Sequence, residues 1–425
     1  MPEQDRHSML VEVARSRLVE LDLPYTAGDG AEELDKAAEA AIVSGPSAAL
    51  AGWMPRHAIP DLTAALAPLG AAVVPLPRPR WIQPPTMLGG RDGRPPVSRT
   101  LVDTYGTVPY ADLDPSRLAG IAYVVMFGMM FGDVGHGAIL LAGGLLLRSG
   151  RIKKLAKLQR TWLFVCGAGL AAMFFGALYG EAFGPTGLVP VLWLDPLANP
   201  VPLLVAGLGV GAFLLAGAYA LGTINRVREG GWGYALYARS GVAGSLLFLS
   251  VVLLVWGLST GTGLLMAVAA LMAFAALVFI FIGLFIEAGG GAPAIFQAVI
   301  ELVDTVIRLG SNLVSFARLA AFGLTHAALL MVVWNGTTAL WAPDWRAAAA
   351  VLLFVVGNLV TFALEALVAG IQALRLEYYE LFSRIFQSEG RPFRPWSPDI
   401  TAATAHPATA ASVFHTTPPA ERQLP

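Results

Sequence analysis

Two arginines stand where apolar sequence tolerates charge least. Residues 298–334 read AVIELVDTVIRLGSNLVSFARLAAFGLTHAALLMVVW. On a helical wheel at about 100° per residue, Glu301, Asp304, Arg308, Ser311, Asn312, Ser315, Arg318, Thr325 and His326 fall within about 140°, and the rest is apolar apart from Thr305. An arginine inside a bilayer costs at least about 2.5–3.5 kcal/mol, so its retention needs a partner or a task. Arg308 and the acids lie near one end and can snorkel. Arg318 is deeper, flanked by Phe316, Leu319 and Phe322. The segment 345–385 repeats the organisation, with Asn358, Thr361, Glu365, Gln372, Arg375 and Tyr379 on one stripe roughly 100° wide. Two such stripes imply either a shared hydrated path or contact with acids of another chain; a structural Arg318–Glu365 ion pair is the plain alternative. His326 reads as a packing residue or a proton carrier. Glu301 and Asp304 read as helix N-terminal charges or as part of the path. Asp133 and His136, in MMFGDVGHGAIL, read as backbone caps or as proton-handling groups.

The elements that carry these residues are apolar. The chain has 425 residues, 56% of them hydrophobic and 13% charged, against about 25% charged in soluble domains. A soluble fold of this size could not hide so much apolar surface, so an α-helical integral membrane protein is expected. With 28 basic and 29 acidic residues the net charge is -1, which gives nucleic acid no electrostatic footprint. The single cysteine, Cys166, rules out an internal disulfide and a cysteine-cluster zinc site. No GxxxxGK[ST] loop occurs, so no nucleotide is expected on this chain. No HExxH or paired-cysteine pattern occurs either, so no metal and no cofactor are expected. The first 20 residues carry charge throughout, so no cleaved signal peptide is expected.

Hydropathy divides the chain near residue 117. Residues 1–117 lack any apolar run approaching the ~20 residues a span needs. Helical patterns at 8–22 and 57–68, with strand-like runs at 47–52 and 71–75, predict a small α/β lobe. The stretch 76–98 is Pro- and Gly-rich linker. From 118 to 390 the predicted helices are about 118–133, 135–149, 161–180, 201–223, 240–258, 262–286, 297–337 and 345–387, eight in all, the last two long. Residues 391–425 read as a disordered tail. The connection 148–160 has six Lys/Arg and no acid and is expected in the cytoplasm. The connection 181–200 has no Lys or Arg and is expected outside. Arg226, Arg228 and Arg239 put 224–239 inside, and Arg384, Arg391 and Arg394 do the same for the C-terminal end. With the N-terminal lobe also cytoplasmic, 118–149 must cross twice; Gly132, Gly135 and Gly137 allow a tight reversal there. One long tilted helix over 118–147 is the alternative.

Three motifs carry a resemblance to a known family. FGMMFGDVGHG (127–137), SNLVSFARLAAFGLTHA (311–327) and LEALVAGIQALRLEYYELFSRIFQSEGRPFRPW (364–396) resemble, in order and separation, the membrane domain of the V-type and A-type rotary ATPase stator subunit, called a or I, the 116 kDa subunit family. ALAGWMPRHAIPDLTAAL, PPTML and VDTYGTVPYADLDP resemble the end of its cytoplasmic domain. The resemblance implies eight transmembrane helices, the last two tilted against a rotating proteolipid c-ring. It implies that Arg318 meets the ring carboxylate and that Arg375 is a second interface arginine. Asp304, with Glu301, falls where the cytoplasmic half-channel has acids. His326 and Glu365, with Gln372 and Ser315 on the same stripes, fall along the proton path, and Gly132, Asp133, Gly135, His136 and Gly137 form the hairpin motif. A fixed guanidinium lowers the pKa of an approaching carboxylate and bars direct proton leakage. The expected role is non-catalytic proton transport in a prokaryotic cell membrane, with both termini cytoplasmic. Expected partners are the ring, the peripheral stalk, other rotary ATPase subunits and the lipid bilayer. The family's cytoplasmic arm is longer than the residues that precede the membrane here. The expectation is therefore a shortened arm tethered by a separate partner, or a non-pumping assembly paralogue. A stand-alone secondary transporter using the Arg318–Glu365 pair is the rival from another class, although no inverted repeat is evident.

Overall fold

The computed structural model describes residues 6–23, 30–45, 47–77, 82–87, 97–151, 153–386 and 390–398. It divides into two units, one of Met1–Met87 with Arg391–Pro425 and one of Leu88–Gly390. Linker residues 78–81 and 88–96 and tail residues 399–425 lie outside the described set.

The first unit is small and mixed. Helices α1 (Arg6–Ser16), α2 (Gly30–Glu39) and α3 (Ile59–Leu66) accompany two antiparallel pairs, β1 (Glu20–Leu21) with β4 (Gly52–Trp53) and β2 (Ile42–Ser44) with β3 (Ser47–Ala49). Leu10, Val13, Leu34, Ala37, Leu62 and Leu66 form its core. Sequence predicts a helix over 8–22, but α1 stops at Ser16. The Ser16 hydroxyl accepts from Leu18 N at 3.3 Å, and Arg17 turns left-handed at φ 52, which ends a helix. The run 71–75 is no strand. It shows the half-buried alternation of one, but finds no partner strand among the described residues, and Val74 is 70% exposed. Arg391–Pro398, assigned to the tail by sequence, lie against this core instead: Trp396 is buried and its indole donates to Glu33 Oε1 at 3.0 Å.

The second unit is helical: α4 (Val97–Tyr105), α5 (Ser116–Met130), α6 (Val134–Ser149), α7 (Trp162–Tyr179), α8 (Pro200–Tyr237), α9 (Val242–Thr260), α10 (Gly263–Glu287), α11 (Ala292–Ser315), α12 (Ala317–Leu340) and α13 (Trp345–Leu376). A π-helical turn, Glu377–Phe382, and a short α14 (Ser383–Ile385) follow. Six continuous helical stretches are long and apolar enough to cross a membrane: Leu158–Tyr179, Pro200–Tyr237, Val242–Thr260, Gly263–Glu287, Ala292–Leu340 and Trp345–Ile385. Helices α5 and α6, with 15 and 16 residues, are apolar but shorter. Met126, Phe127, Met129, Met130 and Phe131, at the end of α5, are central to the core.

Small residues bring the backbones close, as membrane helix packing requires. A Cβ on Gly169 of α7 would lie 2.6 Å from Leu141 N and 2.8 Å from Gly137 O on α6. The hairpin glycines serve the same end. None of Gly132, Gly135 and Gly137 has a positive φ among the described residues, so the turn between α5 and α6, which includes Gly132, does not draw on left-handed backbone. A Cβ on Gly132 would meet the Tyr179 ring at 2.6 Å, and one on Gly135 the Phe183 ring at 2.5 Å.

Two predicted boundaries shift for physical reasons. Sequence places a loop at 224–239, yet α8 continues through it, with a kink at Gly231 (φ 77). Its charges are satisfied locally: Arg226 Nη1 donates to Glu229 Oε2 one turn on at 2.5 Å, and Asn225 Oδ1 accepts from Leu113 N at 3.0 Å. Sequence also predicts one segment over 297–337, which runs as Ala292–Leu340 with a one-residue interruption between α11 and α12 at Phe316, whose backbone stays right-handed helical at φ -72 and ψ -11.

Candidate functional site

The break at Phe316 sets the first cluster. Phe316 is fully buried, and its ring lies where a Cβ on Gly211 of α8 would be, at 2.2 Å from Cγ. Only glycine lets that ring seat flush. Arg318 follows two residues later, in the first turn of α12, and is half-buried. Its Nη2 donates to Ser315 Oγ at 3.3 Å, while Nη1 is shielded from solvent without a hydrogen-bond partner. The Ser315 hydroxyl donates in turn to Glu380 Oε1 in the π-helical turn. Arg375, in the last turn of α13, is exposed. Neither arginine forms an ion pair among the described residues. Two guanidinium groups therefore share this end of the seam, with one carboxylate reached only through a serine. Gln372, one turn before Arg375, has its Oε1 buried without a partner.

The second cluster lies about 12 Å along α12, eight residues on at about 1.5 Å each. His326 is 1% exposed, and its Nδ1 bonds Glu365 of α13. The plain Arg318–Glu365 pair predicted as an alternative is therefore not formed: Glu365 lies level with His326, about 12 Å along α12 from Arg318. Asp133 caps α6, accepting from His136 N at 2.8 Å and from Gly184 N at 2.9 Å. His136 is fully buried, with its ring 5.5 Å from that of His326 and 5.4 Å from Phe362. One ligand atom from each of Asp133, His136 and His326 lies within 4.8 Å of the others. Asn358 and Thr361 are also buried on α13.

The acids in the middle of α11 stand apart from both clusters. Asp304 pairs with Arg308 at 2.6 Å, and Glu301 pairs with Arg239 at 3.1 Å while accepting from Gln297 at 3.0 Å. Solvent-accessible pairs of this kind contribute about 0–1 kcal/mol.

Three carboxyl groups escaped sequence reading. Glu181, in the connection after α7, is 4% exposed. Burial, together with the smaller effect of the charges of Asp133, Asp195 and Glu365, pushes it up to about 9, so it is neutral at pH 7. Glu377 is fully buried, and Glu380 nearly so. Glu380 carried one usable signal, its place five residues after Arg375 on the same helical continuation.

A polytopic membrane protein with a polar seam between its two longest helical stretches is thus the class this geometry defines. The family model described as the V-type ATPase 116kDa subunit family matches residues 48–188. The A-type ATP synthase subunit I of Aeropyrum pernix is 28% identical over 348 residues, covering 71% of this chain and 49% of its own length. That of Thermococcus kodakarensis is 26% identical over 368 residues, covering 82% and 54%. The V-type ATP synthase subunit I 2 of Treponema pallidum is 31% identical over 170 residues, covering 37% and 36%. The chain is thus similar to V/A-type ATPase subunit I proteins, and it spans about half the length of the curated relatives it matches.

Proposed function

We propose that this chain is the membrane stator subunit of a V/A-type rotary ATPase, non-catalytic itself, moving protons between two half-channels and a rotating proteolipid ring. The observation that carries the reading is Arg318. It is a half-buried cation with no carboxylate of its own chain at ion-pair distance among the described residues, and Arg375 is exposed beside the same seam. Its counter-charge is then supplied from outside, by the ring. Glu301 and Asp304 serve the cytoplasmic half-channel. His326 and Glu365, with the Asp133–His136 hairpin behind them, serve the opposite one. Helices α5 and α6 each cross once, at about 22–24 Å for 15 and 16 residues, by locally thinning the bilayer. With them the crossings number eight and both termini lie in the cytoplasm of a prokaryotic cell. The peripheral stalk holds the chain against torque through the first unit.

Affinity purification of the full chain from native membranes tests this. Co-isolation of a proteolipid ring and of other rotary ATPase subunits is expected. A chain that purifies alone and transports a substrate by itself would overturn it.

A further inference from the structure

The Asp133, His136 and His326 cluster has features that proton transfer alone does not require. Two imidazoles and a carboxylate from two distant parts of the chain converge in a buried space, with ligand atoms within 4.8 Å of one another. His326 Nδ1 is bonded by Glu365, which leaves Nε2 as the inward-facing nitrogen, buried and without a partner. A carboxylate behind a histidine is the arrangement that orients a metal-ligating imidazole. Neither ring nitrogen of the fully buried His136 makes a hydrogen bond of ordinary geometry, its polar neighbour being the Asn358 amide, whose Oδ1 is also unpartnered. Each Asp133 oxygen accepts one backbone N–H and keeps a second lone pair.

We propose that Asp133, His136 and His326 form a binding site for a divalent metal of the zinc class, with Glu365 holding His326 in the ligating orientation. Imidazole nitrogen favours zinc, copper or nickel over calcium or magnesium. Bonds of about 2.0–2.2 Å in tetrahedral geometry put donors about 3.4 Å apart. Rotation of the His136 ring, which no hydrogen bond of ordinary geometry fixes, supplies the closing movement. Asp133 and Glu365 together balance a dication, which a low-dielectric site demands. The fourth position falls to Asn358 Oδ1 or to water. The consequence for transport rests on the stator reading: a bound ion occupies His326 Nε2 and denies it to protons.

The test is titration of the detergent-purified full chain, without a histidine tag, with Co2+ as a spectroscopic stand-in, and zinc content by mass spectrometry. One equivalent bound with four-coordinate visible absorption is expected. H136Q and H326Q each abolish it, and E365Q weakens it roughly 10–100-fold. Substituting the other four histidines (His7, His57, His406 and His415) by Gln leaves binding unchanged, so a misfolded site variant does not decide the matter alone. No binding to the wild-type chain, binding that survives both H136Q and H326Q, or loss of binding in the four-histidine variant would overturn the proposal. Binding is read on the chain alone, whereas the stator reading fails on co-isolation of the ring, so the two failures are distinct.

Discussion

Arg318→Ala is expected to reduce ATP-driven acidification of vesicles to background while leaving the chain folded and assembled. The magnitude follows from electrostatics. A guanidinium 4 Å from a carboxylate contributes about 4 kcal/mol at the effective dielectric of a partly buried site. That is a factor of about a thousand in favour of the ionised form, so without it a ring carboxyl would hold its proton through the interface. Each charge moved against 100 mV costs about 2.3 kcal/mol, and a carboxyl that never releases its proton moves none. Folding should be spared because Arg318 contributes a single 3.3 Å hydrogen bond to Ser315 within its own chain and no ion pair among the described residues. Arg318→Lys should also fail for the most part. Lysine keeps the sign, but it loses its proton more readily on desolvation and lacks the planar fork. Full pumping by Arg318→Ala, with proton flux measured beside ATP hydrolysis, would remove Arg318 from the mechanism.

The second large effect is expected far from any charge. Gly211→Val should drive the Phe316 ring out of its seat, because even the first added carbon would lie 2.2 Å from Phe316 Cγ. Overpacking of this kind costs about 1–3 kcal/mol. The larger loss should be functional, since Phe316 is the pivot from which Arg318 projects. A displacement on the order of 1 Å at a reacting group costs about 100-fold in enzymes, and proton flux should fall on that scale. Phe316→Ala in the Gly211→Val background should relieve the strain, with a coupling of about 0.5–3 kcal/mol in a double-mutant cycle, measured by thermal unfolding in detergent. Additive effects of the two substitutions would show that the ring and the glycine do not meet.

The arginines were legible in the sequence because a charge in an apolar run violates the membrane's demands whatever the fold. So were Glu365 and His326, by phase with them. The pairing was not. The register of α12 against α13, which puts His326 rather than Arg318 beside Glu365, is set by packing between segments that the linear sequence does not reveal. The Asp133, His136 and His326 cluster was hidden for the same reason, its members lying about 190 residues apart. The helical course of 224–230 was concealed by its charges. Arg226 and Glu229 look like a loop in one dimension and like an intrahelical pair in three. The close approach of the hairpin glycines Gly132 and Gly135 to Tyr179 and Phe183 is likewise a contact the linear sequence does not show.

The outward face of α13 tests the stator reading most directly. Leu364, Leu367, Ile371 and Arg375 recur at helical spacing and are exposed, while the chain's own Cys166 is buried. Leu367→Cys and Ile371→Cys, each combined with a cysteine beside the ion-binding carboxylate of the proteolipid, should form disulfides on oxidation in membranes. Pumping should stop when they form and resume on reduction. Absence of any cross-link from these positions, in complexes where the ring is present and turning, would mean that Arg318 and Arg375 face something other than the ring.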